Sequence, residues 1–196
     1  DELIDKKKNV NSLKRNGRIQ KIDEIVIKKM IRMMRRINIE FPDNEYFLSV
    51  NASALSFNEN YVNKVIALYE KENFSKGTIV LELTESYQVE DYNYLIKLFE
   101  KLNDRGIKTA IDDFGSGYSS LSYISKFPVY AIKVDKEYVK DYHTNSFNRT
   151  LLMTLNSIAE VLDCKLVAEG VDDPETLDYL KANGCQFYQG FLFSKG

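Results

Sequence analysis

Two adjacent carboxylates, Asp112 and Asp113, end a short apolar stretch at residues 109–111. The stretch is typical of a strand, and the small residues from Gly115 to Ser120 predict a loop that bends sharply and exposes backbone N–H groups. Neighbouring aspartates repel each other, and burying them is unfavourable unless a cation compensates their charge. The pair therefore predicts metal ligands rather than core residues. The loop is interpreted as a mobile segment over a site, with a simple connector as the alternative.

Other polar side chains stand within or at the ends of apolar runs. Glu82 interrupts one such run and Lys133 another, and buried charges of this kind are rare unless they are paired or metal-bound. Taken singly, a buried Glu–Lys pair is also typical of a structural ion pair, and Asn51 of a turn. Several oxygen ligands with one lysine suit a hard cation such as Mg²⁺ or Mn²⁺, and paired hard cations serve phosphodiester hydrolysis. The full set is Asn51, Glu82, Glu85, Asp112, Asp113, Lys133, Asp135, Glu169 and Gln189.

Composition excludes several other classes of function. The 196 residues carry a net charge of −2, which argues against a binder of nucleic acid polymers, and no apolar run approaches a membrane span of ~18 residues. Cys164 and Cys185 lack metal-ligand spacing, so we expect buried thiols in a reduced, cytoplasmic protein. The only histidine, His143, lies in a polar stretch, which disfavours Ser–His or Cys–His catalysis.

Residues 1–16 show no sustained apolar period and are interpreted as a linker or lead-in, whereas residues 17–196 are interpreted as one domain. Apolar residues at helical spacing over 22–37 predict a helix whose methionines fill the core on one face. The chain then alternates between apolar strands and amphipathic helices, which predicts a parallel sheet with helices outside. Strands are predicted at about 47–53, 78–86, 108–115, 131–135, 165–171 and 187–193, and helices at about 58–72, 91–106, 119–127, 147–163 and 174–184.

Two closures of such a sheet remain open: a doubly wound open sheet and a TIM-type barrel. No GxGxxG motif opens a helix after the first strand, so the sequence lacks a dinucleotide-binding signature. Polar residues follow nearly every strand, as in barrel enzymes, and the barrel is therefore favoured. Only six strands are predicted, and the chain is shorter than the ~250 residues typical of a complete barrel.

These residues resemble a known family. The segments VNAS, LELTES, IDDFGSGYSSL, FPVYAIKVDKEYV and VAEGVDDPETLDYLKANGCQFYQGF, in this order and spacing, resemble the EAL domain, the bacterial cyclic-di-GMP phosphodiesterase. The resemblance covers about residues 17–196. It implies a TIM-like (β/α) barrel in which two Mg²⁺ or Mn²⁺ ions direct a water at one phosphodiester of cyclic-di-GMP, which yields linear pGpG.

The resemblance also implies a role for each matched residue. Metal ligands would be Asn51, Glu82, Asp112 and Asp113, with Glu169 completing the metal and water network. The implied catalytic set is Lys133, which would orient or deprotonate the water, together with Glu169 and with Glu85, which would hold the loop after Asp113. Supporting or substrate-binding positions would be Asp135, Gln189, Gly115 and Ser116.

The chain also departs from the family pattern. Single differences fall at Ser116, Tyr130, Asp172 and Phe191, and the strand that carries the Glu-Ala-Leu motif, whose glutamate is a metal ligand in the family, has no match. We therefore expect an α/β, TIM-barrel-like fold that lacks its first strand and last helix in this chain, and the activity of this chain alone is left open. The alternative function is a degenerate, non-catalytic EAL module that binds cyclic-di-GMP or dimerises.

The resemblance carries expectations about partners as well. It implies cyclic-di-GMP as the ligand, a homodimer, a sensory or GGDEF-type domain fused upstream, and a location in the bacterial cytoplasm. No nucleic acid polymer and no membrane segment are expected.

Overall fold

Near-continuous apolar strands alternate with amphipathic helices, as the sequence predicts. The computed structural model describes residues 18–43, 46–53, 55–72, 74, 79–84, 91–115 and 124–194. The helices are α1 (Arg18–Glu40), α2 (Glu59–Glu72), α3 (Tyr92–Asn103), α4 (Lys136–Lys140), α5 (Ser146–Val161) and α6 (Pro174–Ala182). The strands are β1 (Leu48–Asn51), β2 (Ile79–Thr84), β3 (Lys108–Phe114), β4 (Ala131–Val134), β5 (Lys165–Glu169) and β6 (Phe187–Gln189).

The chain divides into two compact units. The first comprises Asp1–Leu83 and Glu100–Lys108, and the second comprises Thr84–Phe99 and Thr109–Gly196. In the first, β1 and β2 are parallel, and in the second, β3, β4, β5 and β6 pair in parallel in chain order. Parallel strands joined by helices confirm the predicted α/β class.

Helix α1 buries one apolar face in the first unit. Ile27, Met30 and Met34 are buried, as expected for core methionines, but Met33 is 55% exposed. At about 100° per residue, Met33 lies about 60° from Met30 and about 100° from Met34, on the side away from Met34, which places it at the edge of the buried face. The prediction that the methionines share one buried face is therefore wrong for Met33.

The last strand is shorter than predicted. β6 ends at Gln189 because the backbone of Gly190 lies against that of Val171, where an added Cβ would stand 2.2 Å from the Val171 carbonyl oxygen. The chain then turns, and the amide of Phe193 donates to the carbonyl of Gly190 at 3.2 Å. Residues 191–193 are apolar and continue the strand-like pattern of the sequence, but they do not form part of a strand.

One helix of the structure was not predicted, and two predictions fall on residues that the structure does not describe. Helix α4 follows β4 directly and was not predicted, because its five residues are too few to show an apolar period. The linker at residues 1–16 and most of the predicted helix at 119–127 lie outside the described residues. Within the described parts of the chain, no helix is long and apolar enough to cross a membrane.

Asp23 is a buried acid within the first unit. It is 8% exposed and lies beside the Ser56 hydroxyl and the backbone of Ser53, in the turn after β1. Burial raises the pKa of Asp23 above its ordinary value, and the two serines only partly oppose the rise. Because a raised folded-state pKa favours the protonated form, the contribution of Asp23 to stability declines as the pH rises from its ordinary pKa through the folded-state pKa.

The variant Asp23→Asn removes this buried charge and is expected to raise the free energy of unfolding at pH 7 by about 1 kcal/mol. The gain should shrink at pH 4, because the raised pKa of Asp23 leaves a larger fraction of the wild-type carboxyl protonated there than at pH 7. Urea unfolding at both pH values measures it. Asp104→Asn, at an exposed aspartate of the same unit, should change stability by no more than about 0.5 kcal/mol. A loss of stability in Asp23→Asn at pH 7 would contradict this account.

Candidate metal centre

An irregularity in β3 brings two neighbouring aspartates to the same place. Ile111 pairs with Ile132 and Phe114 with Val134, so Asp112 and Asp113 together stand opposite a single residue of β4. Adjacent residues of a regular strand point to opposite faces, and an extra residue of the bulge type changes that direction. Asp113 has a φ of 55°, a left-handed conformation that aspartate tolerates better than most residues. The carboxylates can therefore converge.

Glu169, at the end of β5, completes an acidic cluster with them. One carboxylate oxygen from each of Asp112, Asp113 and Glu169 lies within 4.8 Å of the others. Asp112 is 7% exposed, and the other two are partly buried. Three convergent carboxylates in such a position are the ligands that hard divalent cations prefer.

Lys133 of β4 supplies a positive charge to this cluster. Its Nζ lies 2.9 Å from Oδ1 of Asp112 and 2.6 Å from Oε1 of Glu169, and its side chain is slightly more buried than that of Asp112. The contact with Asp112 is an ion pair without the alignment of a hydrogen bond, so a buried carboxylate oxygen keeps unused acceptor capacity. Within the described second unit, Lys133 thus pairs with both Asp112 and Glu169.

The electrostatics of the cluster favour a further cation. Burial raises the pKa of Glu169, Lys133 opposes that rise, and the charges of Asp112 and Asp113 add to it. Burial also raises the pKa of Asp113, together with the charges of Asp112 and Asp135, against Lys133 and Lys136. Lys133 and Lys136 do not fully offset these effects, and a bound divalent cation would favour the ionised forms of the carboxylates. The residues therefore fit a metal ion.

Several other predicted site residues lie around this cluster in the second unit. Gln189 is the register partner of Glu169 on β6. The Asp135 carboxylate caps α4 by accepting a hydrogen bond from the amide of Glu137 at 2.8 Å. This capping contact was not predicted from the sequence. Gly115 directly follows β3 with a φ of 98°. Glu85 and Ser116 lie outside the described residues.

Asn51 and Glu82 belong to the first unit, where the structure brings them together. They are register partners, Asn51 at the end of β1 and Glu82 within β2, and the amide of Ala52 donates to the Glu82 carbonyl at 2.8 Å. Glu82 is 6% exposed, whereas Asn51 is exposed. A strand-end amide therefore lies beside a buried acid, as the sequence pattern predicts.

Tyr138 was not among the predicted site residues, and its hydroxyl donates to the Gly115 carbonyl. One signal for its helix was present, because Asp135 followed by Glu137 is typical of a helix N-terminus, where a capping aspartate and a first-turn acid are favourable.

Comparison with known proteins identifies the class of this fold and site. The EAL domain matches the chain over residues 1–196, and the chain belongs to the EAL domain family. Among curated proteins, the chain is 32% identical over 181 residues to the cyclic di-GMP phosphodiesterase NbdA of Pseudomonas aeruginosa, with 92% of this chain and 23% of that protein covered. The chain thus spans about a quarter of the length of this relative.

Solved structures agree with this assignment. The PaMucR phosphodiesterase in its c-di-GMP complex has a TM-score of 0.86 and 28% identity, and the match covers 95% of this chain and 75% of that one. BlrP1 of Klebsiella pneumoniae, in a manganese/cy-diGMP complex, has a TM-score of 0.76 and 28% identity, with 90% and 44% covered. These matches confirm the predicted fold class and the family resemblance.

Lys133→Met tests how the acidic cluster is balanced. Removing this cation leaves buried carboxylates without their ion-pair partner and should lower the free energy of unfolding by about 3–5 kcal/mol at pH 8 with chelator present. The pKa of Glu169 should rise further, so the loss should be smaller at pH 5, where protonation relieves the repulsion. Urea unfolding at the two pH values measures this difference.

The matched control is Lys140→Met, which removes an exposed lysine 4.0 Å from Asp172. Exposed ion pairs contribute at most about 1 kcal/mol, so this variant should stay close to wild type at both pH values. Equal losses in the two variants would contradict the proposed balance.

Proposed function

We propose that the protein hydrolyses cyclic-di-GMP to linear pGpG in a reaction that depends on Mg²⁺ or Mn²⁺. The observation that carries the proposal is the cluster of Asp112, Asp113 and Glu169 around Lys133, in a chain of the EAL domain family. A relative of this family is named a cyclic di-GMP phosphodiesterase, and another was solved with manganese and cyclic-di-GMP.

The carboxylates of Asp112, Asp113 and Glu169 would hold metal in this scheme. We propose Asn51 and Glu82 as further ligands of a two-ion site. The proposal rests on the family resemblance and on the residue types, since a buried glutamate and a strand-end amide both offer oxygen atoms. When bound, the two ions supply Lewis-acid activation of water and neutralise charge that develops on the phosphate.

Lys133 is the group proposed to orient the attacking water. Its Nζ pairs with Asp112 and Glu169 in the described structure. Once these carboxylates turn toward a cation, the same Nζ is available to donate a hydrogen bond to the attacking water and to orient it. Its burial keeps bulk water away from that contact.

The remaining predicted residues have supporting roles in the proposal. Gln189, beside Glu169 in register, would contact the substrate or the attacking water. Asp135 would support Lys133 through the start of α4, and Gly115 and Ser116 would shape the loop over the site. Glu85 would hold that loop in its active form.

The wider setting is also a proposal. We propose a homodimer in the bacterial cytoplasm, with a sensory or GGDEF-type domain fused upstream, because these features are implied by the family resemblance. The alternative function is that of a module that binds cyclic-di-GMP without cleaving it.

Incubation of the purified protein with cyclic-di-GMP and Mn²⁺, with pGpG followed by chromatography, tests the function. Wild type should form pGpG, and Asp112→Asn should lower kcat/KM at least a hundredfold, because a metal ligand loses its charge. Asp104→Asn, which changes an exposed aspartate, should behave as wild type.

Two results would overturn the proposal. Nucleotide binding without pGpG would favour the receptor function, and pGpG formation that Asp112→Asn leaves unchanged would place the chemistry elsewhere.

A further inference from the structure

Helix α4 contacts the backbone that follows two strands of the metal centre. The Tyr138 hydroxyl donates to the Gly115 carbonyl, two residues after Asp113. On the same helix, Lys136 packs against Gly170, the residue directly after Glu169. A Cβ added to Gly170 would stand 2.5 Å from the Cβ of Lys136. One short helix therefore touches the exits of both β3 and β5.

We propose that Tyr138 is a positioning residue for the metal centre: its hydroxyl fixes Gly115 and so holds the Asp113 carboxylate in the acidic cluster. This inference rests on the proposed metal site. It concerns a side chain that takes no direct part in binding metal or substrate.

The backbone at the end of β3 gives such a restraint a specific role. Asp113 has a φ of 55°, which is uncommon for a residue other than glycine, and Gly115 has a φ of 98°, which glycine adopts without steric cost but does not hold fixed by itself. Conformations of this kind persist where the surroundings hold them in place. Phe114, between the two residues, is 4% exposed and anchors the segment on one side. The Tyr138 hydrogen bond restrains it at Gly115.

The fit between Tyr138 and Gly115 is close as well as polar. A Cβ added to Gly115 would stand 2.9 Å from Cε2 of the Tyr138 ring, so the ring packs directly on the glycine. The hydroxyl can therefore reach the carbonyl oxygen at 2.5 Å. The ring packing and the hydrogen bond of Tyr138 both act on Gly115. The variant Tyr138→Phe keeps the ring and removes the hydroxyl, so it separates the two contributions.

Helix α4 is itself firmly held, as a positioning element must be. Asp135 caps its first turn, and Nδ2 of Asn148, on α5, donates to the Glu137 carbonyl at 3.2 Å. Val139 is fully buried. A restraint from Tyr138 is thus transmitted from a fixed helix to the end of β3.

Mn²⁺ titration by calorimetry, without nucleotide, tests the inference in Tyr138→Phe. Loss of the hydroxyl should weaken Mn²⁺ binding about three- to tenfold, the effect of one hydrogen bond, while the urea midpoint stays near that of wild type. Amide hydrogen exchange in a peptide covering residues 111–115 should be several-fold faster in the metal-free variant. In the turnover assay, kcat at subsaturating Mn²⁺ should fall while KM for cyclic-di-GMP changes less than twofold.

The matched control is Tyr142→Phe, whose hydroxyl donates to the Glu175 carbonyl at 3.4 Å, away from Gly115. It should bind Mn²⁺ as wild type does. Wild-type Mn²⁺ affinity in Tyr138→Phe, an equal loss in both variants, or no Mn²⁺ binding by wild type would each overturn the inference. Weaker Mn²⁺ binding in Tyr138→Phe with no pGpG from wild type would support the positioning role and refute the proposed enzyme.

Discussion

Repulsion among three carboxylates is the constraint on which the second unit depends. Asp112, Asp113 and Glu169 bring their oxygens within 4.8 Å of one another, and Lys133 is the cation placed between two of them. Burial strengthens the effect because fewer water molecules screen the charges. The folded chain thus holds an arrangement that a divalent cation would stabilise, and this links its stability to its proposed chemistry.

The backbone is adapted to maintain that arrangement. A regular β3 would send Asp112 and Asp113 to opposite faces, and the irregular register with Asp113 in a left-handed conformation avoids this. Helix α4 then packs on Gly115 and Gly170, the residues that follow the acidic strand ends. Asp113, one of two non-glycine residues with a positive φ in the described part of the chain, thus lies where the proposed chemistry occurs.

Much of the fold was predictable because its signals are local. Apolar runs such as residues 79–83 identify buried parallel strands, and charged residues within or after those runs identify the candidate site. Glu82 and Lys133 were predicted in this way, and both are buried.

Other features depend on contacts between distant residues and left little trace in the sequence. The end of β6 is set by the approach of Gly190 to Val171, and the convergence of Asp112 with Asp113 by the register of β3 against β4. Met33 is apolar like the buried residues of α1, but its angular position on the helix leaves it exposed. Helix α4 is too short to show an apolar period.

We propose that the irregularity of β3 makes Asp113 a metal ligand beside Asp112. Mn²⁺ binding, followed by electron paramagnetic resonance in wild type and in Asp113→Asn, measures this. Wild type should bind Mn²⁺, and Asp113→Asn should weaken binding at least tenfold, whereas Asp104→Asn should leave it unchanged. Equal Mn²⁺ affinity in wild type and Asp113→Asn would show that Asp113 is not a metal ligand.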